Sequence, residues 1–111
     1  MRDCVDTPDG EFSVSFPEYR DKMLEMGDKY DLPVLDLGKA TADYLNTVGD
    51  EGSKKLFMWL EKGAYEGYPD GKQDNAHLQQ AGAKAFAGLL AGLIHSYDRD
   101  DKLDKVKAEL A

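Results

Sequence analysis

A helix-rich α/β fold with one clear strand is what this 111-residue sequence predicts, on three observations. Apolar residues recur at helical spacing in several separate segments. One short run, Leu32-Pro33-Val34-Leu35-Asp36-Leu37, has the density of a strand buried on both faces. The remaining stretches are short and carry Gly, Pro and Asp, the residues of connections.

Taken in order, residues 1–16 hold Pro8, Asp9 and Gly10 between short apolar positions, turn chemistry that predicts a loop or hairpin. Pro17 sits where a helix can begin, and Tyr19, Met23, Leu24 and Met26 gather on one face of it. That helix is expected to end between Gly27 and Tyr30. The apolar run closed by Gly38 is the expected strand, followed by a helix over Lys39 to Val48 with Gly49 as its stop. A shorter helix is expected over Glu51 to Leu60. Residues Glu61 to Asn75, rich in Gly, Tyr, Pro and Asp without apolar period, predict a loop. Leu78, Ala81, Ala85, Leu89 and Leu93 then repeat at helical spacing, and the Gly and Ala residues among them let this helix approach a sheet closely. Residues 98–111 alternate acids and lysines with Leu103, Val106 and Leu110 on one face, a charged tail helix. One strand cannot make a sheet, so the inventory is incomplete for a self-sufficient α/β domain. It predicts self-association or a complementary N-terminal segment.

The 14 Lys and Arg against 22 Asp and Glu give a net charge of −8, which argues against a phosphate-neutralising surface and hence against nucleic acid as a partner. No apolar stretch approaches the roughly 20 residues that span a bilayer, so no membrane partner is expected. The start, Met1 to Cys4, lacks the apolar run of a signal peptide, and the compartment stays open. Cys4, the only cysteine, cannot form an internal disulfide.

The chemistry concentrates in Tyr68-Pro69-Asp70-Gly71-Lys72-Gln73-Asp74-Asn75-Ala76-His77-Leu78, which runs into Ala81-Gly82-Ala83. A carboxylate three residues before an imidazole can accept from one ring nitrogen and leave the other free as a general base. By spacing alone, the same pair also fits a helix cap followed by a surface histidine.

The context resembles the last signature block of the SGNH (GDSL) hydrolase superfamily, and within it the rhamnogalacturonan acetylesterase branch. That branch's pattern, Tyr-Pro-x-Gly-x-x-Asp-Asn-Thr-His-hydrophobic and then Gly-Ala, is met at Tyr68, Pro69, Gly71, Asp74, Asn75, His77, Leu78, Gly82 and Ala83. Ala76 departs from the usual Thr. The similarity extends upstream through Val34 to Leu37, Leu56 and Phe57, and to Arg2, Asp6, Gly10, Phe12, Ser15 and Tyr19, from about Arg2 to Ile94 in all. It implies that residues 1–111 are the C-terminal segment of a single three-layer α/β/α (flavodoxin-like) sandwich. Residues 17–97 would then hold a core strand, helices and the Asp-x-x-His loop. The implied reaction is hydrolysis of acetyl esters on an acetylated pectic polysaccharide, with His77 and Asp74 catalytic and no metal or organic cofactor.

The family's Gly-Asp-Ser nucleophile block and its oxyanion-hole Gly and Asn are not found in this sequence. Gly49-Asp50-Glu51-Gly52-Ser53 is superficially similar, but its serine stands two places late and no strand precedes it. Cys4 as a thiol nucleophile competes with the ordinary reading of a small buried hydrophobe. His95 reads as a solvated helix C-terminal residue. Asp98 to Leu103 is similar to a calcium loop but carries Lys102 at a ligand position and Leu103 where the turn needs Gly. Trp59, Tyr65 and Tyr68 fit either a sugar-stacking wall or packing. The resemblance therefore implies an esterase segment that is inactive alone. A non-catalytic helical interaction module and one half of a split esterase are the alternatives.

Overall fold

The chain lays a two-stranded antiparallel sheet and four helices along its length, as described by a computed structural model for Arg2 and residues 11–110. The turn expected at Pro8 to Gly10, and Cys4, lie outside the described residues.

Helix α1, Pro17–Tyr30, starts on the proline whose fixed φ and missing N–H suit the first helical position. It ends where Asp31 adopts φ 52° and the Leu32 N–H donates to the Gly27 carbonyl at 2.8 Å. Both bounds agree with the sequence.

The expected strand over Leu32 to Leu37 does not form. Leu32 is 54% exposed, and among the described residues no strand runs beside the segment. Extended backbone needs a neighbouring ladder for its N–H and C=O groups, and apolar composition cannot supply one. The segment instead leads to Asp36, whose Oδ1 accepts from the Lys39 N–H at 3.1 Å and caps helix α2, Leu37–Lys54. Arg20 of α1 grips the same carboxylate, with Nε 2.9 and 3.0 Å from its two oxygens. That contact ties the two helices together and holds Asp36 below the usual carboxylate range. Gly49, the expected stop, stands inside α2 at φ 73° and ψ −178° and kinks it.

Helix formation ends at Lys54, not Leu60. Phe57–Leu60 is strand β1, and the expected loop closes at Gly71 because Lys72–Leu78 pairs with it as β2. Aromatic and apolar residues at 57–60 suit a half-buried pleat, and a hairpin partner across an eleven-residue loop gives it the ladder that residues 32–37 lack.

Helix α3, Gln80–Ser96, follows β2 directly, and α4, Asp104–Leu110, closes the described chain. The core is Phe12, Leu45, Leu56 and Phe57, with Tyr44, Val48, Trp59, Leu78, Ala85 and Phe86 packed around it. Phe57 meets Phe86 edge-on at 5.9 Å between centroids. Asn46 fixes Phe12 by accepting from its N–H at 2.6 Å and donating to its carbonyl at 3.0 Å. Arg99 and Lys102 in the turn before α4 pair with Asp28 and Asp31 at the end of α1. Asp100 accepts from Tyr97 and from Lys102, so this acidic run is spent on internal pairing. The radius of gyration, 16.5 Å, exceeds the roughly 13 Å of a compact domain of about 100 residues, in keeping with so small a core.

Candidate active site

Asp74 and His77 lie where the hairpin ladder breaks. From Phe57 to Trp59 strand β1 advances two residues, while from Gln73 to Leu78 strand β2 advances five. The surplus bulges out of the sheet, and it is the Asp74-Asn75-Ala76-His77 stretch. Bulges free backbone groups from the ladder and re-aim side chains, and each freed buried group needs another partner.

The side chain of Asp74 supplies two of them. Its Oδ1 accepts from the N–H groups of Ala76 and His77, both at 2.8 Å, which folds the bulge into a tight turn. Its Oδ2 lies 2.9 Å from the His77 Nδ1. The two backbone donors, and then the imidazole, hold the Asp74 carboxyl well below the ordinary carboxylate range, against the opposing effect of desolvation. Asp74 is thus an ionised acceptor near neutral pH, so Nδ1 is the donor in that contact. A neutral His77 ring then presents the lone pair of Nε2 outward. The arrangement is asymmetric in the useful sense: Asp74 retains 14% of its side-chain exposure and His77 75%.

The structure therefore joins the two residues singled out by spacing, and it places them on a bulged strand. Helix α3 begins three residues after His77, at Gln80. An open groove of about 660 Å³ runs between the 61–71 loop and α3, lined by Met58, Leu60, Tyr65, Tyr68, Leu78 and Ala81. His77 does not line it.

The remaining candidates separate cleanly. Ser53 is completely buried, its Oγ donating to the Asp50 carbonyl and accepting from Arg2 Nε, each at 2.6 Å. That geometry is structural. His95 is exposed in the last turn of α3. Trp59 donates through Nε1 to Asn75 Oδ1 at 2.8 Å and carries Arg2 and Lys54 over its ring at 4.8 and 5.0 Å, so it is engaged in packing. Tyr65 and Tyr68 remain exposed. Among the described residues no group of three or more His, Cys, Asp or Glu is placed to hold a metal ion, and no helix is long and apolar enough to cross a membrane.

Two contributors escape a reading by motif. Gln79 donates from its backbone N–H to the Leu56 carbonyl at 2.8 Å and from its side chain to the Phe57 carbonyl at 2.6 Å, fastening the end of β2 to the start of β1. Arg2, 5% exposed, reaches Ser53, Asp50 and Asn75, the last of them 73 positions away. A buried arginine near a terminus carries no local sequence signal for such a role.

With this geometry in place, comparison with known proteins relates the chain to a carbohydrate esterase. It is 37% identical over 82 residues, 74% of its length, to the rhamnogalacturonan acetylesterase RhgT of Bacillus subtilis (strain 168). The match takes in 35% of that relative, so the chain spans about a third of the length of the protein it resembles. No protein-family model and no solved structure matches it.

Proposed function

We propose that this chain is the C-terminal segment of a single-domain serine carbohydrate esterase of the SGNH type, acting on acetyl esters of rhamnogalacturonan, and that it supplies the general base and its orienting acid. The observation that carries this reading is the Asp74 to His77 contact, a half-buried carboxylate on Nδ1 of an exposed imidazole, in a chain related to an acetylesterase. In the reaction His77 Nε2 takes the proton of a serine hydroxyl as that oxygen attacks the acetyl carbonyl. It then returns the proton to the departing sugar oxygen, and water repeats the sequence to release acetate. Asp74 holds the ring in the Nδ1–H tautomer and stabilises the imidazolium while it exists. The serine and most of the oxyanion hole come from outside these 111 residues, in keeping with the third of the relative that the chain spans.

The test is reconstitution. The purified chain is assayed on 4-nitrophenyl acetate and on acetylated rhamnogalacturonan, alone and mixed with the N-terminal part of the Bacillus subtilis relative. Alone it is expected to match its His77→Ala variant. The mixture is expected to release acetate, with activity reduced about 10²- to 10⁴-fold by His77→Ala or Asp74→Asn, the usual contribution of a positioned base. Activity of the isolated chain that vanishes in His77→Ala would overturn the segment reading. A mixture no more active than the relative's N-terminal part by itself would count against the catalytic one.

A further inference from the structure

The bulge that presents His77 takes Asn75 out of the ladder register, and both its carbonyl and its side chain are bonded by Arg2, 73 positions away. The Arg2 N–H donates to the Asn75 carbonyl at 2.7 Å, and its Nη1 donates to Asn75 Oδ1 at 3.2 Å. Asn75 Oδ1 also accepts from Trp59 Nε1 at 2.8 Å, on the strand that the bulge departs from. Arg2 is itself immobilised: Nε on the buried Ser53 hydroxyl at 2.6 Å, an ion pair with Asp50, and the guanidinium between the rings of Trp59 and Phe12 at 4.8 and 5.8 Å from their centroids. Every anchor is part of the core or of α2 beyond its kink.

We propose that Arg2 and Asn75 are positioning residues for the base: Arg2, fixed in the core, clamps Asn75 and thereby sets the turn in which Asp74 meets His77. The inference rests on the catalytic reading above and deepens it. Neither residue touches the imidazole, so their effect is on which ring nitrogen carries the proton and for how much of the time. Among the described residues, the Asn75 side chain is engaged through its oxygen, which accepts from two donors, and a carboxylate can make the same two bonds. Asn75→Asp is therefore expected to preserve the clamp, whereas Asn75→Ala removes its side-chain half and leaves only the backbone bond from Arg2.

The readout is the tautomer of His77 in the free chain, from long-range proton–nitrogen spectra of ¹⁵N-labelled protein, with His95→Gln to assign the two histidines. In the wild type Nδ1–H is expected to dominate. Asp74→Asn is expected to abolish that preference. Asn75→Ala is expected to lower the Nδ1–H to Nε2–H ratio by about three- to tenfold, the scale of one net hydrogen bond, while Asn75→Asp restores it. Arg2→Lys, whose single ammonium nitrogen cannot span the acceptors that the guanidinium fork reaches, is expected to fall with Asn75→Ala and gives the second reading should that variant fail to fold. If Asp74→Asn leaves the tautomer unchanged, the dyad itself fails. If Asp74→Asn changes it but Asn75→Ala and Arg2→Lys do not, or Asn75→Asp falls as far as Asn75→Ala, only the positioning role is overturned.

Discussion

Gly82 lies directly against the Leu56 carbonyl: a Cβ on Gly82 would stand 2.1 Å from that oxygen. This contact seats the first turn of α3 on the start of the hairpin, beside the Gln79 bonds that fix the end of β2. The obstructing atoms are backbone and cannot rotate away. Gly82→Ala is therefore expected to lower stability by about 1–3 kcal/mol, the cost of overpacking, with urea denaturation as the measurement. An unchanged midpoint would show that α3 has room to shift.

The depressed Asp74 carboxyl makes a second prediction, about acid. A carboxylate whose folded-state pKa lies below its unfolded value binds fewer protons when folded, so it stabilises the fold above the ordinary aspartate value of about 3.9. That contribution is lost as pH falls through the lower folded value. The difference in urea midpoint between wild type and Asp74→Asn is expected to be constant from pH 7 to about 5 and to shrink toward pH 3. A difference that widens on acidification would contradict the assigned hydrogen bonds.

Ser53 is the only serine within a Gly-Asp-like stretch, and its burial makes it inert. A fluorophosphonate probe is expected to leave the isolated chain unlabelled at Ser53. Ser53→Ala is expected to cost about 1–3 kcal/mol, because Arg2 Nε is left buried without its acceptor. A covalent adduct on Ser53 would reopen the question of the nucleophile.

An apolar groove of about 490 Å³ separates α1 from the 32–38 segment, and Tyr19 and Met23 beside it are 74% and 65% exposed. Together with the unladdered run at Leu32 to Leu37, this face is expected to bring two copies of the chain together at micromolar concentration. Sedimentation should report a species heavier than the monomer, and Met23→Lys should return it to the monomer. A wild type that is monomeric and melts cooperatively would count against this.

Much of this was legible in the sequence, and the exceptions share a cause. The start of α1 at Pro17, the break at Gly49, the span of α3 and the pairing of Asp74 with His77 each depend on residues within one or two turns of one another. Local chemistry decides such features: a fixed φ, a missing Cβ, a carboxylate within reach of the next N–H groups. Strands are different in kind, because a strand exists only when another backbone completes its ladder. Leu32 to Leu37 has the better strand composition but no ladder among the described residues. Phe57–Leu60 gained one from Lys72–Leu78, a segment whose polar sequence gives no sign of it. The same dependence on distant partners placed the dyad on a bulge, and it tied Asn75 to Arg2 across 73 positions. The sequence by itself determined which two side chains meet. Only the tertiary structure decided what holds them there, because the groups that satisfy a broken ladder come from wherever the fold brings a donor.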